Sequence, residues 1–263
     1  MKRTTAALFL TGTLLLAQGP RGFGGPGGGM APGTSMMSGA VVTGAPFSAV
    51  EVRTLQQRLA DGNTVNTSTN ATRARDSQGR TYLNETITPA AATGKAPYNR
   101  ITITDPVAGY RYELDSSTMI AVPTRTPAFG PARTVATPAL GTVTRPDGAI
   151  ITTTSQGTAT INGVLATNTQ VTEVIPAGAI GNIQPITTTR TTWVSQDLKL
   201  PVQIKTSDPR YGTSDVELTN ISTGEPNAAL FTVPSGFTIQ RAGRGAGGPG
   251  GAFRRGGPPP QAQ

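Results

Sequence analysis

Ile101-Thr102-Ile103-Thr104-Asp105-Pro106-Val107-Ala108-Gly109-Tyr110-Arg111-Tyr112-Glu113-Leu114 decides the class of fold. Two stretches alternate residue by residue, and between them stand an Asp-Pro start and a closing Gly, the chemistry of a tight turn. With a period of two, Tyr110 and Tyr112 share one face of a strand while Arg111 and Glu113 take the other. A helix would need its apolar residues three and four apart.

Working outward, the same reading repeats. Arg80–Thr88 sets Tyr82, Asn84 and Thr86 against Leu83, Glu85 and Ile87, after the turn Asp76-Ser77-Gln78-Gly79. Asp76 and Arg80 bracket that turn and are expected to fix it by hydrogen bonding. Thr64–Arg75 is dense in Thr, Asn and Val and follows the hairpin signal Asp61-Gly62-Asn63. Phe47–Leu59 is ambiguous: Val52, Leu55 and Leu59 have helical spacing, whereas Val50 and Val52 alternate. The strand reading is taken. Pro89–Pro97 is a small-residue loop. Past Leu114, a turn at Asp115-Ser116-Ser117 leads to Met119–Val122. Pro123, Pro127, Pro131, Pro138 and Pro146 then interrupt a segment, 123–155, expected to be a long irregular insertion. Strands resume at Thr158–Ile161, and Asn162-Gly163 turns the chain into Val164–Ile175. Ile186–Leu198, Val202–Thr206, Val216–Ile221 and Leu230–Ile239 complete an all-β, mostly antiparallel meander of about ten or eleven strands with few or no helices. No self-similarity at 20–50 residues points to a solenoid or propeller.

The ends read differently. Lys2 and Arg3 precede an apolar stretch from Ala6 to Ala17, the pattern of a secretory signal peptide over residues 1–19. The stretch is short for a membrane span, which needs ~20 apolar residues. No Cys follows it to carry a lipid anchor, so the expected location is periplasmic or extracellular. Residues 20–46 are Gly/Pro-rich and residues 240–263 add Arg; both lack the apolar pattern needed to fold and are expected to be disordered. One domain is left, over residues 47–239.

The chain has 22 Lys/Arg and 14 Asp/Glu, for a net charge of +8. Lys2, Arg3, Arg21, Arg241, Arg244, Arg254 and Arg255 lie in the end segments, which leaves 15 basic against 14 acidic residues in between. A near-neutral domain argues against nucleic acid, which calls for clustered Lys/Arg. The basic tail suits a weak contact with anionic lipid or polysaccharide, or no partner at all. With no Cys and no His, the chain forms no disulfide. It builds no zinc, haem or copper site on thiolate or imidazole, and lacks the base of Ser-His-Asp and Cys-His catalysis. No cofactor is expected.

Several phrases in order carry a resemblance: Asp76-Ser77-Gln78-Gly79-Arg80; Ile103-Thr104-Asp105-Pro106 with Gly109-Tyr110; Ile161-Asn162-Gly163-Val164; Trp193-Val194-Ser195 running to Leu198-Lys199-Leu200-Pro201-Val202; and Leu230-Phe231-Thr232-Val233-Pro234-Ser235-Gly236-Phe237. Over roughly residues 47–239 the chain resembles secreted bacterial proteins of uncharacterised function. These are similar in turn to the superfamily of the periplasmic lipoprotein carrier and the envelope-stress regulator (LolA/LolB/RseB-like). The resemblance implies a strongly curved, open antiparallel half-barrel whose concave apolar face holds acyl chains under a lid of helices or loops. Helical patterns are weak here, so the lid is either missing or replaced by residues 123–155, and no binding residue is carried over.

Trp193, the one Trp, can stack on a ligand or anchor the core, and the core is the commoner fate. Tyr110 and Tyr112 can form an aromatic ledge or pack across strands. Asp105, Glu113 and Asp115 surround one hairpin; they are weak candidates for a glycosidase pair or a calcium site, since no calcium-loop spacing is present. The leading expectation is a non-enzymatic envelope protein that binds a lipid or a lipoprotein acyl group on the concave face. The alternative is a structural or interaction protein that uses a sheet edge or its Thr-rich outer face.

Overall fold

The computed structural model describes residues 41–126 and 138–240. The expected signal peptide, most of the N-terminal Gly/Pro segment and the Arg/Gly tail beyond Gln240 lie outside the described residues. In chain order the strands are β1 (Phe47–Arg58), β2 (Thr64–Arg75), β3 (Thr81–Ile87), β4 (Tyr98–Asp105), β5 (Tyr110–Asp115), β6 (Ile120–Arg125), β7 (Gly141–Thr144), β8 (Ile150–Ile161), β9 (Val164–Ile175), β10 (Ile186–Ser195), β11 (Leu200–Asp208), β12 (Gly212–Ser222) and β13 (Thr238–Ile239). Two short 3-10 turns, Ala91–Thr93 and Ala228–Phe231, are the helical elements among the described residues.

All thirteen strands form one sheet in the order β13-β6-β5-β4-β3-β2-β1-β12-β11-β10-β9-β8-β7. Two antiparallel meanders thus run outward from a central β1–β12 pair. The sheet does not close; it is an open, curved half-barrel. The expected Asp105–Gly109 turn joins β4 to β5, with the Asp105 carboxylate accepting from the Val107 and Ala108 amides at 2.9 and 2.8 Å. Asn162 and Gly163 have φ of 47° and 89°, the two left-handed residues that a tight hairpin between twisted strands requires. Asp76 fixes its turn as the sequence suggests: its carboxylate accepts from the Gln78 and Arg80 amides and from Arg80 Nε. The ambiguous first element is a twelve-residue strand.

Two expectations need correction. Segment 123–155 is not irregular throughout, because β6 runs to Arg125, β7 spans Gly141–Thr144 and β8 begins at Ile150. Pro123 sits in β6 opposite Tyr112, and β13 pairs only with Ile120 and Ala121, so its missing N–H interrupts no ladder. β7 owes its extension to pairing with β8, which its Gly/Thr composition does not announce. Residues 41–46, included in the expected disordered segment, pack on the β2–β3 turn: the Gly44 amide donates to Ser77 O at 2.9 Å, and Ala45 O accepts from Arg75.

The register places the two apolar clusters on opposite faces. Phe47, Glu51, Leu218, Val216 and Ile204 follow one face across β1, β12 and β11. Tyr82, Ile103, Tyr112 and Leu114 follow the other across β3, β4 and β5. The second cluster is covered by the C-terminal segment, whose Val233 and Phe237 pack on Ile103, Leu114 and Ala121. The first cluster closes on itself. Bulges lie between Ser48 and Val50, between Trp193 and Val194, and between Ser155 and Thr158; bulges bend strands and sharpen twist. The β8–β9 hairpin thereby curls back until Asn162 Nδ2 donates to Leu218 O of β12 at 2.7 Å. Val164 and Ala166 join Phe47, Val202 and Leu218 in one buried cluster.

Candidate functional site

The inner face of the curl is the side that bears Phe47 and Leu218, and its two ends differ. At the bulged end it is filled by the chain's own side chains: Phe47, Val202 and Leu218 have no exposed surface, and Leu198 and Leu200 retain 2%. Each such large side chain contributes about 1.5–3 kcal/mol by burial. The continuous apolar trough expected of an acyl carrier is absent at this end. The loss follows from the hairpin that folds over it.

Next to this plug lies a buried ion pair. Glu51 of β1 accepts from Arg73 Nε of β2 at 2.5 Å, with both side chains 4% exposed, and from the more accessible Arg53 at 3.2 Å. Arg75, one face position along β2, donates to the carbonyls of Ala45 and Leu198 and lies 5.1 Å over the Phe47 ring. Burial pushes its pKa down to about 10.

At the other end the inner face is only half-covered. Here Thr153, Val171, Arg190, Thr206, Ser214 and Leu55 form one row across β8–β12 and β1. The next row holds Val143, Ile151, Glu173, Thr188 and Asp208. Arg145 pairs with Glu173 and, at 3.5 Å, with Asp147. Arg210 holds Asp208 with both arms of its guanidinium, Nε to Oδ1 at 2.9 Å and Nη2 to Oδ2 at 2.7 Å. That hydrogen bond is the main cause that lowers the Asp208 pKa and raises that of Arg210. The surface is amphipathic: Leu55, Val143, Ile151 and Val171 alternate with hydroxyls and ion pairs.

The outer face of the same strands carries Thr142, Thr152, Thr172, Thr189, Ser207 and Thr213 in register over β7–β12. A shallow groove of about 340 Å³ crosses this side, lined by Thr54, Thr191 and Thr213 and by Lys205, whose Nζ lies 3.5 Å from Asp215. Such a lining suits polar groups, not acyl chains.

The residues singled out from the sequence do not meet in one place. Trp193 is half-buried and packs against the cluster around Phe47 and Leu218. Tyr112 packs on the other cluster, its ring 6.1 Å from that of Tyr110, which lies under Arg125 at 5.7 Å. Asp105 caps its turn, Asp115 accepts from the Ser117 amide at 2.8 Å, and Glu113 pairs with Arg111. The Ser117 hydroxyl is the main cause that lowers the Asp115 pKa. Each carboxylate is engaged locally, and the register puts Asp105 on the face opposite Glu113 and Asp115. The Arg145–Glu173, Arg190 and Asp208–Arg210 groups were missed, because their proximity depends on which strands become neighbours. Among the described residues no cluster of three or more potential metal ligands occurs, and no helix is long and apolar enough to cross a membrane.

No family model matches the chain, and no curated protein matches it in sequence. Among solved structures it is similar to a chain of the Pseudomonas aeruginosa MucA/MucB complex, with 11% identity and a TM-score of 0.37 over 75% of this chain and 58% of that one. It is similar to a LolA superfamily protein from Nitrosomonas europaea, with 10% identity and a TM-score of 0.30 over 72% and 90%. It is also similar to the Mycobacterium tuberculosis lipoprotein LppX, with 16% identity and a TM-score of 0.24 over 70% and 90%. The chain thus spans under three fifths of the MucA/MucB-complex chain it matches. These likenesses transfer no ligand and no residue. The open antiparallel half-barrel stands on the strand order and register of the chain itself.

Proposed function

We propose that the chain is a non-enzymatic binding protein of the cell envelope. Its ligand lies on the half-covered part of the inner face, between β1 and β7–β12, and is amphipathic, a lipid or the acylated end of a lipoprotein. The observation that carries this reading is the alternation of Leu55, Val143, Ile151 and Val171 with hydroxyls on a concave surface that the plug leaves accessible. An apolar chain would lie along these positions rather than enter a closed cavity. A chain without His or Cys fits binding better than acyl transfer. The basic leader with its apolar run supports secretion.

A second reading has its own observation. β7 is bonded on one side by β8 and on the other by no described residue, and its Val143 and the adjoining Leu140 are 64% and 60% exposed. An open edge is a standard place for an extended segment of another protein to add a strand. Native mass spectrometry of the full chain purified from its envelope, followed by lipid extraction, separates the two. A bound mass that leaves as lipid on denaturation supports the first reading. A clean chain that takes up neither fatty acid nor lipopeptide, yet retains a protein partner, supports the second.

A further inference from the structure

The half-covered inner face holds a cation that no described side chain balances. Arg190 lies mid-strand in β10, opposite Val171 of β9 and Thr206 of β11. Its Nε is buried without a hydrogen-bond partner, and no described residue forms an ion pair with its guanidinium. Burial lowers its pKa from the ordinary arginine value. The two carboxylates diagonal to it on the same face are taken, Glu173 by Arg145 and Asp208 by Arg210. Segments outside the described residues hold no carboxylate side chain. All 14 Asp and Glu of the chain lie between Glu51 and Glu225, and residues 1–40, 127–137 and 241–263 contain none. Arg190 as a whole is half-buried, so it carries only part of the several kcal/mol that an unpaired, fully buried ion costs. No side chain of this protein supplies a counter-charge, which leaves the solvent-facing end of the guanidinium to water or to an anionic ligand.

The surroundings indicate its chemistry. Thr188 and Thr192 flank Arg190 along β10, Thr206 stands beside it, and Thr153 and Ser214 continue the row. A planar fork with hydroxyls on several sides presents donors in three dimensions, which suits a tetrahedral phosphate better than a flat carboxylate. We propose that Arg190 and the hydroxyls of Thr188, Thr192 and Thr206 form a phosphate-class oxyanion site on the inner face. The site rests on the reading that this face receives the ligand, and it assigns the polar end of that ligand. Free phosphate and the phosphodiester of a lipid head group share the chemistry.

The test uses the full secreted chain and its Arg190→Gln and Arg190→Lys variants. Titration calorimetry with inorganic phosphate is expected to give saturable binding. Affinity should fall about 10- to 100-fold in Arg190→Gln, the loss of one charge-assisted bond, and by less in Arg190→Lys. Without phosphate Arg190→Gln should melt no lower than wild type, since it relieves a partly buried charge, and a given phosphate concentration should raise the Tm of wild type more than that of Arg190→Gln. Flotation with phosphatidylglycerol and with uncharged glycolipid vesicles identifies the source. Phosphatidylglycerol capture that needs Arg190 assigns the site to a head group. Phosphate binding with no vesicle capture keeps the site, assigns it to free phosphate and overturns the lipid reading. Equal capture of both vesicles by wild type and Arg190→Gln keeps the lipid reading and overturns the site. No phosphate response in wild type, or one that Arg190→Gln leaves unchanged, also overturns it.

Discussion

Glu51 is where the closed end of the inner face is most sensitive to change. Replacing it by Leu leaves the Arg73 guanidinium 4% exposed and without its anion. Breaking a buried pair from one side costs about 3–5 kcal/mol. The Arg53 contact adds little, since Arg53 is 28% exposed and partly solvated pairs contribute ~0–1 kcal/mol. For a domain of this size, where each kcal/mol moves the melting point by about 2–4 °C, the expected drop is roughly 6–20 °C. Arg73→Met should cost less, because Arg53 still neutralises Glu51. In the double variant two apolar side chains replace the pair, and most of the loss should be recovered. Urea unfolding of the full chain at neutral pH, followed by Trp193 emission, gives the three values and their coupling. If Glu51→Leu costs under about 1 kcal/mol and the two changes simply add, the pair is solvated and the inner face of β1–β2 is open to water. The account of the plug would then fail.

The remaining predictions concern other parts of the sheet. Gly212 has φ of 94°, and an added Cβ would lie 2.0 Å from Gln56 O, whereas a Cβ at Gly163 (φ 89°) meets nothing within 4 Å. Gly212→Ala should therefore cost well over the ~1–2 kcal/mol of left-handed strain that Gly163→Ala costs; equal values in urea melts would contradict the close β1–β12 approach. Phe231, 4% exposed beneath Arg80, pins the C-terminal segment, so Phe231→Ala should lose about 3–5 kcal/mol and admit protease near residues 223–237 first. Unchanged cleavage would show that the segment is held elsewhere. Asp208 has its folded pKa depressed by Arg210, so its stabilisation is complete above the usual carboxylate range, about pH 4, and fades as pH falls through the lower folded value. Asp208→Asn should flatten that acid limb of the stability profile, and an unaltered limb would assign it to other carboxylates.

Class of fold was legible because it depends on neighbours in the chain. Period-two alternation, Asp-Pro and Asn-Gly turns and the Asp76–Arg80 bracket act over a few residues, and the hairpins they imply are present. The absence of His and Cys likewise set limits on chemistry without any coordinates. β7 was not legible, since Gly141–Thr144 is a strand only because β8 lies beside it. The burial of Glu51 against Arg73 also escaped notice, as did the pairing of Arg145 with Glu173, because register, not composition, brings residues that far apart together. Most of all, the sequence left open which side of the sheet is inside. Three bulges curl the β8–β9 hairpin over Leu218, fill one end of the concave face and leave Arg190 in the other without a carboxylate. Bulges insert single residues into long ladders, and the direction in which they turn a sheet is set only once all its strands are paired.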